Sequence, residues 1–149
     1  MLEPILPFKA ENTLDFYSED IDFELENTAD VDAWLKSIIK AENKDLDFIS
    51  YIFCSDLYLL EINRNYLQKL DLTDTISFPY NDNPVEGDVF MSIERIKENA
   101  EEYKVSFTDE LHRVLVHSTL HLLGYSDKDF DSKKAMTQKE NHYLSQRSF

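Results

Sequence analysis

The run "LHRVLVHSTLHLLG", Leu111 to Gly124, constrains this chain more than any other stretch. Val114, Leu115, Val116, Leu120, Leu122 and Leu123 make a helix built from it apolar on most sides. Such a helix is stable only where other elements cover it nearly all round. Ser106 opens a Ser-x-x-Asp pattern that caps a helix N-terminus, and Gly124 supplies the left-handed residue that ends one. A central helix in the C-terminal third is therefore the first expectation. His117 and His121 stand four apart on it, so they project from one face a turn apart. Two imidazoles in an apolar setting are costly unless something satisfies them, and a divalent metal does so. The competing reading is a buried helix with paired histidines and an ordinary glycine stop.

Asp127, three residues past Gly124, can swing beneath the two histidines as a third ligand. Neutral imidazoles with a carboxylate suit zinc, and three protein ligands leave a fourth position open, as catalytic rather than structural sites do. The expectation is one zinc per chain on His117, His121 and Asp127, lowering the pKa of a bound water toward ~7. Zincin peptidases place a Glu directly after the first histidine as general base. Ser118 stands there, which counts against proteolysis. His112 and His142 fall outside the pattern and read as surface or helix-packing residues. Cys54, the sole cysteine, reads as core; a single thiol excludes an internal disulfide framework and fits a reducing compartment.

The remaining chain reads as one domain over residues 1–149, with no repeat or linker to divide it. "YSEDIDFELEN" alternates acidic and apolar residues like a half-exposed strand. "TADVDAWLKSIIKAEN" has helical spacing, "LDFISYIFCS" reads as a buried strand, and "SDLYLLEINRNYLQKL" as a helix. "TDTISFPYND" reads as a strand ended by Pro79. "GDVFMS" follows as a short strand after a turn at Gly87 and Asp88, then helix "IERIKENAEEYK". Beyond the central helix, "DFDSKKAMTQKENHYLSQ" is helical. The order β-α-β-α-β-β-α-α-α implies an α+β fold, with about five helices on a small mixed four-stranded sheet.

The net charge is −15, and nine acidic residues with no basic one lie between Glu11 and Asp32. That stretch reads as a solvated, repulsive face. Affinity for nucleic acid rests on phosphate neutralisation, so an RNA role requires a local basic groove, a metal or a partner that delivers the substrate; no DNA partner is expected. The first residues lack the pattern of a signal peptide, and no apolar run approaches the ~20 residues that span a bilayer. A soluble, cytoplasmic protein without membrane contact is expected.

The residues also resemble a known family, the YbeY endoribonucleases, whose signature runs His-Gly-x-Leu-His-Leu-x-Gly-Tyr-Asp-His. "HSTLHLLGYSD" is similar to it; so are "INRNYLQKLDLTDTISFP", Ile62 to Pro79, and "GDVFMSIERIKENAEEY". The likeness runs from about residue 16 to 145, with three motifs in order. It implies a zinc-dependent endoribonuclease that acts in maturation of the 3′ end of small-subunit ribosomal RNA and in ribosome quality control. Water activated by the metal would attack a phosphodiester, and ribosomal RNA with the ribosome or small-subunit proteins would be partners. The chain departs from the signature at the third histidine, here Asp127, whose anionic carboxylate makes a weaker Lewis acid of the metal. It departs also at the arginine after Tyr66, here Leu67. Arg64, Lys69 or Arg113 would then contact phosphate; Arg113 could equally pair with Asp109 or Glu110. Thr73, Asp74 and Ser77 either line the cleft, with Asp74 orienting the attacking water, or Thr73 and Asp74 only shape a turn. Two rivals stay open: a ribosome-biogenesis adaptor whose metal is structural, and a metallohydrolase on another substrate.

Overall fold

The computed structural model describes residues 11–68 and 73–149. Its elements are β1 (Thr13–Ser18), α1 (Thr28–Ala41), β2 (Leu46–Cys54), α2 (Asp56–Leu67), β3 (Thr75–Asn81), β4 (Val85–Ser92), α3 (Ile93–Tyr103), α4 (Phe107–Leu122) and α5 (Phe130–Ser145). The sheet order is β1-β2-β4-β3, with β1, β2 and β4 parallel and β3 antiparallel to β4. This is the expected α+β fold on a mixed four-stranded sheet.

The helices divide by which apolar residues they bring. Val31, Trp34, Leu35, Ile38 and Ile39 form one stripe of α1 and join Ile49, Tyr51, Phe53, Val89 and Met91 of the inner sheet face. Leu115, Val116 and Leu120 of α4 are completely buried in the same core, each contributing about 1.5–3 kcal/mol. The other face is covered where α2 lays Leu59 and Ile62 over Cys54 and Ile76. Cys54 is thus core, and burial pushes its thiol up to about 12.

Three local readings need correction. Residues 19–26 are not a strand: after the Glu19 amide bonds the Phe53 carbonyl, the chain leaves the sheet; Ile21, Phe23 and Leu25 still turn onto the core while the acids face solvent. The alternation reported burial, not pairing. Pro79 does not end β3. It lies within that strand, paired with Gly87, at an edge where its missing N–H costs nothing. Gly87 and Asp88 are not a turn but part of β4. A Cβ on Gly87 would stand 2.8 Å from Leu122 Cδ2 and 3.0 Å from the Phe78 carbonyl oxygen. The glycine lets the end of α4 lie directly on the sheet, and that contact sets the height of the helix that carries the histidines.

Candidate metal centre

Helix α4 begins as its sequence indicates: the Ser106 hydroxyl accepts from the Asp109 amide. Its N-terminal half already carries the site's supports, since Glu110, Arg113, His117 and His121 follow one another at three- or four-residue spacing along one stripe. At its end the Tyr125 amide bonds the Leu120 carbonyl and the Gly124 amide bonds that of His121, with Gly124 at φ 105°. This is the left-handed stop that reverses the chain. The reversal brings Asp127 under the histidines, and Asp129 then caps α5 by accepting from the Ser132 amide.

The ring nitrogens and the carboxylate converge. His117 Nε2 and His121 Nε2 are 3.1 Å apart, and Asp127 Oδ2 is 3.3 Å from the first and 3.5 Å from the second. Three donors held about 2.0–2.1 Å from a tetrahedral zinc lie about 3.3 Å from one another. The triangle therefore fits a metal of that size, with one tetrahedral position left. Hydrogen bonding alone does not account for it, because two facing Nε2 atoms and a carboxylate share at most two protons among three close approaches.

Sequence reasoning missed what holds the triangle. Glu140 of α5, only 6 % exposed, accepts from His117 Nδ1 at 2.7 Å. The bond puts the imidazole proton on Nδ1 and leaves the Nε2 lone pair for a metal. Burial would push the His117 pKa down, but Glu140, Asp127 and Asp74 together hold it above its ordinary value. Arg113 does not pair with Asp109 or Glu110. Its guanidinium bonds Glu140 Oε1 at 2.9 Å and Asn141 Oδ1 at 2.8 Å, because α5 packs along α4 there. Arg147 engages Asp109 instead. Glu140 could have been flagged from sequence as a carboxylate on the stripe that Met136 and Tyr143 make buried.

A second carboxylate braces the ligand loop. Glu42, at the end of α1, receives hydrogen bonds from Tyr125, Tyr143 and Lys139. Burial would raise its pKa, yet these three donors hold it lowered and charged. Tyr125 is two residues from Asp127, so this clamp ties the loop to α1 and α5 at once. No spacing in the sequence pairs residue 42 with residue 125; only the packing does.

The other candidates are distributed unevenly. Asp74 comes to the centre: burial raises its pKa, while His117 and the backbone amides of Asp74 and Thr75 pull it back. It bonds the backbone of the turn and lies within electrostatic range of His117. Glu110, buried beside Asp74, has its pKa raised by desolvation and by that neighbour. Thr73 bonds the Thr75 carbonyl, a turn contact. Ser77 shares with Thr75 the face of β3 that meets α4, and its hydroxyl is buried without a partner among the described residues. Ser118 turns away from the triangle, bonding the Val114 carbonyl and the Thr75 hydroxyl, so position 118 joins helix to sheet. Arg64 is held by Glu61 at 2.7 Å on the exposed side of α2, and Leu67 ends that helix in solvent. Lys69 lies outside the described residues. His142 is exposed, while His112 is buried between Trp34 and Phe149.

No helix among the described residues is long and apolar enough to cross a membrane. The model of the family described as Endoribonuclease YbeY matches residues 14–148. The protein named Endoribonuclease YbeY from Flavobacterium psychrophilum is 45 % identical over 129 residues, covering 86 % of this chain and 92 % of its own. Its namesake from Cytophaga hutchinsonii is 43 % identical over 141 residues, covering 93 % and 99 %. A Thermotoga maritima protein solved in solution shares the fold, with a TM-score of 0.63 at 24 % identity over 89 % of this chain and 87 % of that one.

Proposed function

This chain belongs to the Endoribonuclease YbeY family, and from that premise we propose that it is a zinc-dependent endoribonuclease of ribosomal RNA maturation. His117, His121 and Asp127 are the ligands, one zinc per chain, and the observation that carries the reading is their 3.1–3.5 Å triangle. The substrate is RNA at the 3′ end of the small-subunit species, met on the ribosome or with small-subunit proteins in the cytoplasm. A partner that presents the RNA also answers the charge of −15, which opposes unaided binding.

When bound, the metal supplies Lewis acidity toward a phosphate oxygen and lowers the pKa of a water. The protein's own groups do the rest. Glu140 fixes the His117 ring with its proton on Nδ1, and Arg113 and Asn141 fix Glu140. In this reading Asp74, its pKa raised by burial beside His117, orients a water and exchanges a proton with it. Ser118 offers no general base for peptide hydrolysis, because its hydroxyl is committed to β3.

The test is cleavage of a single-stranded fragment from the 3′ end of small-subunit precursor RNA by zinc-loaded wild type and His121→Ala. Cleavage by wild type, lost in the variant and on chelation, is expected. Equal activity of the two proteins removes the triangle from the chemistry. Ribosome binding by both without any cleavage leaves the adaptor role in its place.

A further inference from the structure

We propose that the N-terminal end of α5 is a binding subsite for single-stranded RNA beside the metal, with Phe130 stacking on a base and Lys128, Lys133 and Lys134 meeting the flanking phosphates. The proposal rests on the endoribonuclease reading above and adds where the strand lies.

The first observation is an unpaid aromatic. Phe130 is 80 % exposed, more than any other large apolar side chain described, and it follows Asp127 by three residues. Three extended residues reach about 11 Å at most, so a nucleotide next to one at the metal meets this ring. An exposed phenyl face binds any base by stacking and requires no particular sequence.

The second is the local distribution of charge. Most described cations, such as Lys36, Lys44, Arg95 and Arg147, are engaged by an acidic side chain. Lys128, Lys133 and Lys134 are exposed and make no ion pair among the described residues, and they cluster within seven positions of the chain. Of the acids interleaved with them, Asp129 caps the helix, and Asp131 lies at the edge of the arc, about 200° from Lys133 and about 60° from Lys134.

The third is direction. At about 100° per residue, Lys133, Phe130 and Lys134 fall roughly 20°, 80° and 120° from Glu140, on the side where Asn141 stands at about 100°. Glu140 and Asn141 both reach α4, at His117 and Arg113. Lys139, about 100° the other way, faces Glu42 instead. The basic and aromatic arc is thus continuous with the metal edge of α5. Leu57 and Tyr66 are also strongly exposed, but they belong to α2 on the opposite face of the sheet. A polyanion with planar bases matches this arc; an acidic peptide would use the lysines and leave Phe130 idle.

Zinc-loaded wild type, Phe130→Ala, Phe130→Trp, Lys133→Ala/Lys134→Ala and the remote Leu57→Ala are compared for KM on a short single-stranded RNA across a salt series. Phe130→Ala is expected to raise KM about tenfold, the loss of one stacked base, and Phe130→Trp to keep it near wild type. The double lysine variant is expected to flatten the log–log salt dependence by about 1.4, the share of two single-strand phosphates. Leu57→Ala changes neither. All five substitutions are at the surface, so circular dichroism and zinc content serve as folding checks. Wild type that cleaves, with KM and salt slope the same in every variant, overturns the subsite alone. A changed slope with Phe130→Ala silent overturns stacking and favours an acidic partner. Wild type that neither binds nor cleaves RNA overturns the endoribonuclease reading and the subsite with it.

Discussion

Replacing Glu140 by Gln isolates the orientation of His117 from the ligand set itself. The substitution keeps the side chain's shape but removes its charge, at a position 6 % exposed. Glu140 now accepts from His117 Nδ1 at 2.7 Å and from Arg113 Nη1 at 2.9 Å. An amide can accept from one of them only. If its oxygen takes the Nδ1 proton, its NH2 confronts the guanidinium, donor against donor. If its NH2 faces Nδ1, the imidazole must carry its proton on Nε2, the atom that points at Asp127, and His117 ceases to be a ligand. Either arrangement loses a charge-assisted bond, worth about 1.5–3 kcal/mol where it is shielded from water. Second-sphere losses of this kind lower metal affinity about 10- to 100-fold, or roughly 1.4–2.7 kcal/mol. The assay is zinc affinity by competition with a chromophoric chelator at neutral pH, with the Tm of the chelated protein measured in parallel. The expected result is weaker zinc binding out of proportion to any loss of apo stability. Zinc affinity within twofold of wild type would refute the claim that Glu140 sets the tautomer of His117.

Other expectations follow from the same contacts. Glu42→Gln should lower zinc affinity by several-fold while leaving the three ligands intact, because it loosens Tyr125 two residues before Asp127; unchanged affinity would make the clamp purely structural. Gly87→Ala should destabilise the fold by about 1–3 kcal/mol through overpacking, since its Cβ would stand 2.8 Å from Leu122 Cδ2; combined with Leu122→Ala it should cost less than the sum of the two single losses in denaturant titration. Burial, then the nearby Arg147, holds His112 down at about 4 from an ordinary 6.5. The folded state therefore binds fewer protons than the unfolded chain within that window, and stability falls as pH drops through it. His112→Gln should flatten the slope of chelated-protein Tm against pH between these values, and an unchanged slope would refute the assignment.

Much of the site was legible because metal ligation has a short-range grammar. His117 and His121 share a face by helix period, Gly124 can reverse the chain, and Asp127 falls within reach; each step is local, and the structure assembles them at 3.1–3.5 Å. The fold was legible for a related reason. A helix as apolar as Leu111–Leu123 has to be central, and runs of β-branched and aromatic residues such as Leu46–Cys54 have to be inside a sheet. Where the reading failed, a local pattern had two outcomes. Alternation at residues 19–26 serves burial with or without a partner strand, and a glycine before Val89 serves a turn or a close approach equally well.

The sequence by itself therefore determined that His117, His121 and Asp127 converge, the central helix and the class of fold, since each depends on chain geometry within about a dozen residues. Tertiary structure alone decided how the triad is held. Glu140 meets His117 across 23 positions and Glu42 meets Tyr125 across 83, and no periodicity carries information over such distances. Arg113 shows the division in one residue. Its place on the histidine stripe was readable, but whether it would face a phosphate, Asp109 or Glu140 depended on which helix packed alongside. The packing of α5 on α4 chose Glu140, because a buried carboxylate that holds the His117 imidazole requires a cation of its own.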